Sequence, residues 1–324
     1  MLSHKDRRTR KIKPTLTTAE GSHTLRYADS TIDSKFIRAI KTYRGLLLSV
    51  SSVLTALVVS ACSRGTDAGP SPAITENADS SPQRLNVEIV DEHPWDSSSF
   101  TQGLEVADKG RLLVGTGKTG KSRIYHASLD GEQFNSQPLP PEFFGEGVTQ
   151  HVGGNTSHVW QLTWQQNVAL LRDSETLEVI STKTYDGEGW GLCSDGQRLV
   201  MSDGSGTLTF RDPESFDPVG TVSVTVAGTP AQRLNELDCD PSGGPNGSPV
   251  VWANVWESDE IYRIDPQSGE VTGIVDTLGV FKASRKPGAD VLNGIAGIPG
   301  TNRYYLTGKY WDTLYEVRFN PEER

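Results

Sequence analysis

The sequence is short of several things, and each shortage closes off a class of function. Basic residues are outnumbered: 31 Lys and Arg against 41 Asp and Glu give a formal net charge of −10. A nucleic-acid footprint needs a basic stripe, so that class is disfavoured. No cluster of Cys, His or carboxylates has the spacing of a metal site. A Ser-His-Asp arrangement and a glycine-rich phosphate loop are also missing. The uncharged run at 45–59 has 15 residues, short of the about 20 that a membrane span needs. No helix-period segment of useful length follows residue 85. There are only 3 cysteines, at 62, 193 and 239.

Turn formers are abundant instead, with 33 Gly and 18 Pro among many short β-branched runs. That composition suits an all-β protein. One phrase recurs: Gln102-Gly103-Leu104, Glu146-Gly147-Val148, Trp190-Gly191-Leu192, Asn235-Glu236-Leu237 and Asn293-Gly294-Ile295. Its middle positions are spaced by 44, 44, 45 and 58 residues, a period that points to a radial or stacked β architecture. Each phrase is followed by a second apolar run, a third that alternates apolar and polar, and in most units a fourth. Four short antiparallel strands describe a propeller blade, so five repeats predict a five-bladed β-propeller. The last repeat supplies three strands. Residues 85–90 (LNVEIV) have strand character and no hairpin partner, and are expected to close the ring as the missing outer strand, which removes free edges. The propeller domain is placed at 85–320. The long gap before the fifth phrase holds an insertion at 276–291, with Lys282, Arg285 and Lys286. It is expected to overhang the central site.

The N-terminal part reads differently. Arg38, Lys41 and Arg44 precede the uncharged run, and Ser60-Ala61-Cys62 follows it. A positive region, a short apolar region and small residues at the exit describe a secretory signal. Val59-Ser60-Ala61-Cys62 resembles the bacterial lipobox, which implies lipidation of Cys62. Residues 1–61 are therefore assigned to a basic leader and signal peptide, and 62–84 to a disordered tether. The domain is expected to be exported and lipid-anchored on the outer face of the bacterial cytoplasmic membrane. Cys193 and Cys239 lie on equivalent strands of adjacent repeats. In that compartment they are expected to form a disulfide rather than stand as two buried thiols.

Innermost propeller strands converge on the axis. This brings Gln102, Glu146, Trp190, Asn235, Glu236 and Asn293 to one mouth, with Trp164, Asn254, Trp256 and Lys309 added by the ends of the second strands. Such a set is aromatic-lined and polar, suited to a small ligand carrying an amide or an amine. No cofactor is expected, although a structural cation in the axial channel would be compatible.

The motifs Phe100-Thr-Gln-Gly-Leu, Phe144-Gly-Glu-Gly-Val-Thr, Gln161-Leu-Thr-Trp, Gly187-Glu-Gly-Trp-Gly-Leu, Leu234-Asn-Glu-Leu, Trp252-Ala-Asn-Val-Trp, Leu292-Asn-Gly-Ile-Ala and Leu306-Thr-Gly-Lys-Tyr-Trp closely resemble the plant and bacterial type of glutaminyl cyclase, a five-bladed propeller family. The resemblance covers about 90–319, with motifs in order in every blade. It implies a metal-independent acyltransferase that converts N-terminal glutamine of a peptide or protein to pyroglutamate with loss of ammonia. By this resemblance Glu146 carries the proton, and Lys309 stabilises the oxyanion or tunes Glu146. Trp164, Trp190 and Trp256 wall the substrate, and Gln102, Asn235 and Asn293 bind it or orient Glu146. Glu236 either pairs with Lys309 or is a second acid. Phe100 and Phe144 are expected to be supports. The alternative reading is a non-catalytic cell-surface propeller that binds peptides or glycans through the same tryptophans.

Overall fold

The computed structural model describes residues 81–322. The leader, the signal segment, Cys62 and nearly all of the tether lie outside the described residues. The first blade comprises β2 (Thr101–Val106), β3 (Leu112–Thr116), β4 (Arg123–Ala127) and β5 (Gln133–Pro138), joined in that order. The second comprises β6 (Gly145–Gly153), β7 (Thr156–Thr163), β8 (Val168–Asp173) and β9 (Val179–Thr184). The third holds β10 (Leu192–Ser194), β11 (Leu199–Ser202), β12 (Thr207–Arg211) and β13 (Pro218–Ser223). A small hairpin, β14 (Thr225–Val226) and β15 (Thr229–Pro230), leads to the fourth: β16 (Leu234–Asp240), β17 (Val250–Val255), β18 (Glu260–Ile264) and β19 (Val271–Asp276). The fifth has β20 (Leu292–Gly297), β21 (Arg303–Gly308) and β22 (Thr313–Pro321).

The outer strand of the fifth blade is β1 (Gln83–Pro94), antiparallel to β22 from Leu85↔Pro321 to Pro94↔Thr313. This is the closure expected from the sequence. One pairing was not expected: Gln83, Arg84 and Leu85 also run parallel to Gly273, Ile274 and Val275 of β19. The fourth and fifth blades thus merge into one eight-stranded sheet, with β1 in its interior. Because β1 begins at Gln83, the last two residues assigned above to the tether are paired strand.

The core is divided among the blade boundaries, and strand alternation explains how. Successive side chains of a strand point to opposite faces, and a middle blade strand is covered on both. In β3, Leu112 and Val114 pack towards the fifth blade while Leu113 packs towards the second. In β11, Leu199 and Met201 face the second blade and Val200 the fourth. In β17, Trp252 faces the fifth blade and Val251 the third. Each of the five boundaries carries one such buried cluster among the described residues.

The insertion is anchored on the fifth blade, and its end meets the strand end that carries Lys309: the Asp290 amide donates to the Lys309 carbonyl at 2.8 Å and the Lys309 amide to the Val291 carbonyl at 3.0 Å. Phe281 and Ala283 are buried against Trp311 and Tyr315 of the fifth blade. Lys282 pairs with Glu92 and Lys286 with Asp312, while Arg285 donates to the carbonyl of Gly279.

Candidate active site

The recurring phrase is a β-bulge. Pairing of the first and second strands shifts register between Thr101 and Gly103, between Gly145 and Val148, between Leu234 and Leu237, and between Leu292 and Ile295. A bulge takes a residue out of the ladder and re-aims its side chain. Here it frees Gln102, Glu146, Asn235 and Asn293. In the third blade Trp190 immediately precedes β10. Glycine follows because neighbouring blades touch at this point. A Cβ on Gly147 would lie 2.6 Å from the Leu192 nitrogen, and one on Gly191 would lie 2.0 Å from the Asn235 carbonyl oxygen.

At this mouth lies a cavity of about 300 Å³, lined by Phe100, Gln102, Phe144, Glu146, Trp164, Trp190, Asn235, Trp256, Lys309 and Lys118. The walls are tied ring to ring. Trp190 meets Trp256 edge-on at 5.5 Å, Phe144 meets Trp164 at 5.6 Å, and Phe100 meets Phe144 at 6.1 Å. Such edge-to-face pairs are favourable beyond the area they bury.

A polar chain runs beneath the walls. Asn293 Nδ2 donates to Gln102 Oε1 at 3.2 Å and to the Thr101 carbonyl at 3.0 Å. Gln102 Nε2 then donates to Glu146 Oε1 at 2.8 Å. This fixes one oxygen of Glu146 and leaves its other without a hydrogen-bond partner among the described residues. Burial pushes the Glu146 carboxyl well above the usual range. The Lys309 charge and the Gln102 hydrogen bond pull it back, and Glu188 adds to the rise. Burial also pulls the Lys309 ammonium down, against the opposing pull of Glu146 and Asp290. Lys309 Nζ has no hydrogen-bond partner among the described residues and lies 4.8 Å from the Phe100 ring centroid. Asn235 also lines the cavity, and its Oδ1 is buried without a hydrogen-bond partner among the described residues.

Three expected site residues do not line the cavity. Glu236 is buried and does not meet Lys309. Its two oxygens accept the backbone amides of Leu104 at 3.1 Å and Ile295 at 2.7 Å, so it bridges inner strands of the first and fifth blades. Burial pushes its carboxyl up, while those two amides pull it down. The bulge at 234–237 contains two residues; Asn235 reaches the cavity and Glu236 the axis below it. Asn293 supports Gln102 as described, and Asn254 Oδ1 accepts the Gly294 amide at 2.9 Å.

Two residues at the site were missed. Glu188 accepts the indole N–H of Trp164 at 2.7 Å and of Trp190 at 2.9 Å, together with Gln165 Nε2 at 2.7 Å. Burial raises its pKa, but the bonds from Gln165, Trp190 and Trp164 outweigh this and hold the carboxylate ionised. It stands in the motif Gly187-Glu-Gly-Trp, where only the tryptophan drew notice. Lys118 lines the cavity rim. Its signal was the phrase Thr116-Gly117-Lys118, which repeats Thr307-Gly308-Lys309.

Away from the site, Cys193 on β10 and Cys239 on β16 are joined by a disulfide with their Cα atoms 5.4 Å apart. It staples the third blade to the fourth.

Fold and site define a β-propeller enzyme with a buried acid and a buried amine in one cavity at a mouth of its axis. Its family is given by sequence comparison. The model of the glutamine cyclotransferase family matches residues 56–319, and the chain belongs to that family. A glutaminyl-peptide cyclotransferase of Arabidopsis thaliana is 35% identical over 242 residues, covering 72% of each chain. The crystal structure of the Myxococcus xanthus glutaminyl cyclase superposes with a TM-score of 0.66 at 34% identity. That match covers 75% of this chain and 100% of the other.

Proposed function

We infer that this chain acts on peptides with N-terminal glutamine as a glutaminyl-peptide cyclotransferase, with Glu146 moving the proton. In the reaction the α-amine attacks the side-chain amide carbon. One N–C bond forms, the bond to the amide nitrogen breaks, and one proton passes from the attacking nitrogen to the leaving one, which departs as ammonia. The amine must be neutral to attack, and its free pKa is near 8. The observation that carries the reading is Glu146, buried in an aromatic cavity, held by Gln102 and facing a desolvated Lys309. A carboxyl whose pKa burial has raised above the ordinary carboxylate range holds and returns a proton more readily than an exposed one. Attack and departure occur at adjacent atoms, so one carboxyl serves both. Lys309 supplies positive charge where the tetrahedral oxyanion develops, and the open carboxamide of Asn235 hydrogen-bonds the substrate. Proximity is built into the substrate, so the protein supplies orientation and proton transfer. Ammonia release from a Gln-Xaa dipeptide tests the reading; a folded protein that releases none overturns it.

We also propose that the domain works outside the cytoplasm, anchored through lipid on Cys62. The Cys193–Cys239 disulfide supports an oxidising compartment. The intact mass of the membrane-extracted protein tests the anchor, and an unmodified Cys62 in the mature protein would dismiss it.

A further inference from the structure

Lys118 is the internal counterpart of Lys309. Both follow the end of a second strand in the phrase Thr-Gly-Lys. Both threonines turn their hydroxyls to the carbonyl of the following strand at 3.1 Å, Thr116 to Arg123 and Thr307 to Thr313. Both ammonium groups lie against the same ring, with Lys118 Nζ 3.7 Å and Lys309 Nζ 4.8 Å from the Phe100 centroid. They differ in depth: Lys309 is buried, whereas Lys118 is half-buried at the rim. Among the described residues three other lysines meet carboxylates, as Lys109–Glu175, Lys282–Glu92 and Lys286–Asp312, and none of those three lines the cavity. The Lys118 ammonium has neither a carboxylate nor a hydrogen-bond partner among the described residues. Its backbone holds φ at +100°, a region that residues other than glycine rarely adopt and that concentrates at functional sites.

We propose that Lys118 binds an anionic group on the residue that follows the N-terminal glutamine. The proposal rests on the reading of this cavity as the active site. With the glutamine amine and amide at Glu146, the rest of the peptide must leave through the mouth. The next Cα is about 3.8 Å along the chain, which brings the second residue to the rim where Lys118 stands. A free carboxylate of a dipeptide and an acidic side chain at the second position offer the same chemistry.

The test compares kcat/KM for Gln-Ala with Gln-Ala amide, and for Gln-Glu amide with Gln-Gln amide, in wild type, K118Q and K118R at low and high salt. The wild type is expected to favour the anionic member of at least one pair by about two- to fivefold at low salt, the range of an exposed ion pair. That preference should fall to about one in K118Q, persist in K118R and weaken as salt rises. The pair that responds identifies which carboxylate is held. A preference that is the same in wild type and K118Q overturns the proposal, as does an equal loss of kcat on both members with their ratio unchanged. Should K118Q fail to fold, a wild-type preference insensitive to salt overturns it as well. Absence of ammonia release from every substrate by folded wild type overturns the functional reading instead.

Discussion

Gln102 of the first blade donates from Nε2 to Glu146 Oε1 of the second at 2.8 Å, so the acid is oriented by a neighbouring blade and not its own. This makes Glu146 and Gln102 separable by experiment. E146Q keeps the shape and removes the proton carrier. Its kcat should fall by about 10²–10⁴-fold, the usual worth of general acid–base catalysis, with little change in melting temperature. A large loss of stability with residual activity would mark Glu146 as structural.

Q102A tests orientation. The Gln102 hydrogen bond lowers the Glu146 pKa, so losing it raises that pKa further. Activity that depends on the carboxylate should then be lost at a higher pH on the acidic side. The acidic limb of the kcat/KM profile is expected to move upward in pH, and an unmoved limb would refute the linkage.

Lys309 pulls Glu146 in the same direction through its charge. K309M should therefore also move the acidic limb upward. It should in addition lower kcat by about 10²-fold or more, the scale of losing one oxyanion donor. A changed KM with an unchanged kcat would leave Lys309 a binding group only.

Two buried carboxyls near the axis, away from the cavity, predict how stability depends on pH. Burial pushes Glu105 up to about 8, against hydrogen bonds from Thr149 and Gln150. Burial pushes Asp238 up to about 7, against the Gly297 amide. Both ionise near 4 when unfolded. Through these two groups the folded state holds more protons than the unfolded one between about pH 4 and 8, so their contribution to stability falls as pH rises through that window, against a smaller opposite contribution from His126, which burial pushes down to about 4. Melting temperature should be higher at pH 5 than at pH 8, and E105Q with D238N should flatten the slope. A wild-type profile that is flat or rising over this window would contradict the assignment.

The Cys193–Cys239 bridge closes a loop with a sequence separation of 46. Replacing both cysteines by alanine should cost about 2–5 kcal/mol of stability, measurable by denaturant unfolding. Cavity residues lie elsewhere, so kcat at low temperature should be retained. Unchanged stability would show that the third and fourth blades hold together without the staple.

Much of this was legible because one local device recurs. The same bulge opens four inner strands, so the residue before each glycine could be placed at the axis from spacing alone. Depth along the axis was not legible. Glu236 fills a place where close blade contact elsewhere requires glycine, and nothing in Asn235-Glu236 says which of the two turns towards the cavity. Glu188 was hidden by the glycines on both sides, which read as turn. Lys118 was hidden by Lys-Thr-Gly-Lys, which reads as a solvated hairpin. The parallel pairing of β1 with β19 joins edges of two blades and leaves no periodic trace.

The clasp made by β1 also has a cost in time. Leu85 pairs with Pro321, so the first strand to be synthesised completes its ladder only when the last one appears. At about 5–20 residues per second that interval is roughly ten to fifty seconds. Until β19 and then β22 are made, β1 is an unpaired edge, which invites wrong partners. Its composition answers the hazard: Arg84, Glu88, Asp91 and Glu92 are spread along a strand that also carries Val87, Ile89 and Val90. The charges along this strand keep it solitary until the ring can close.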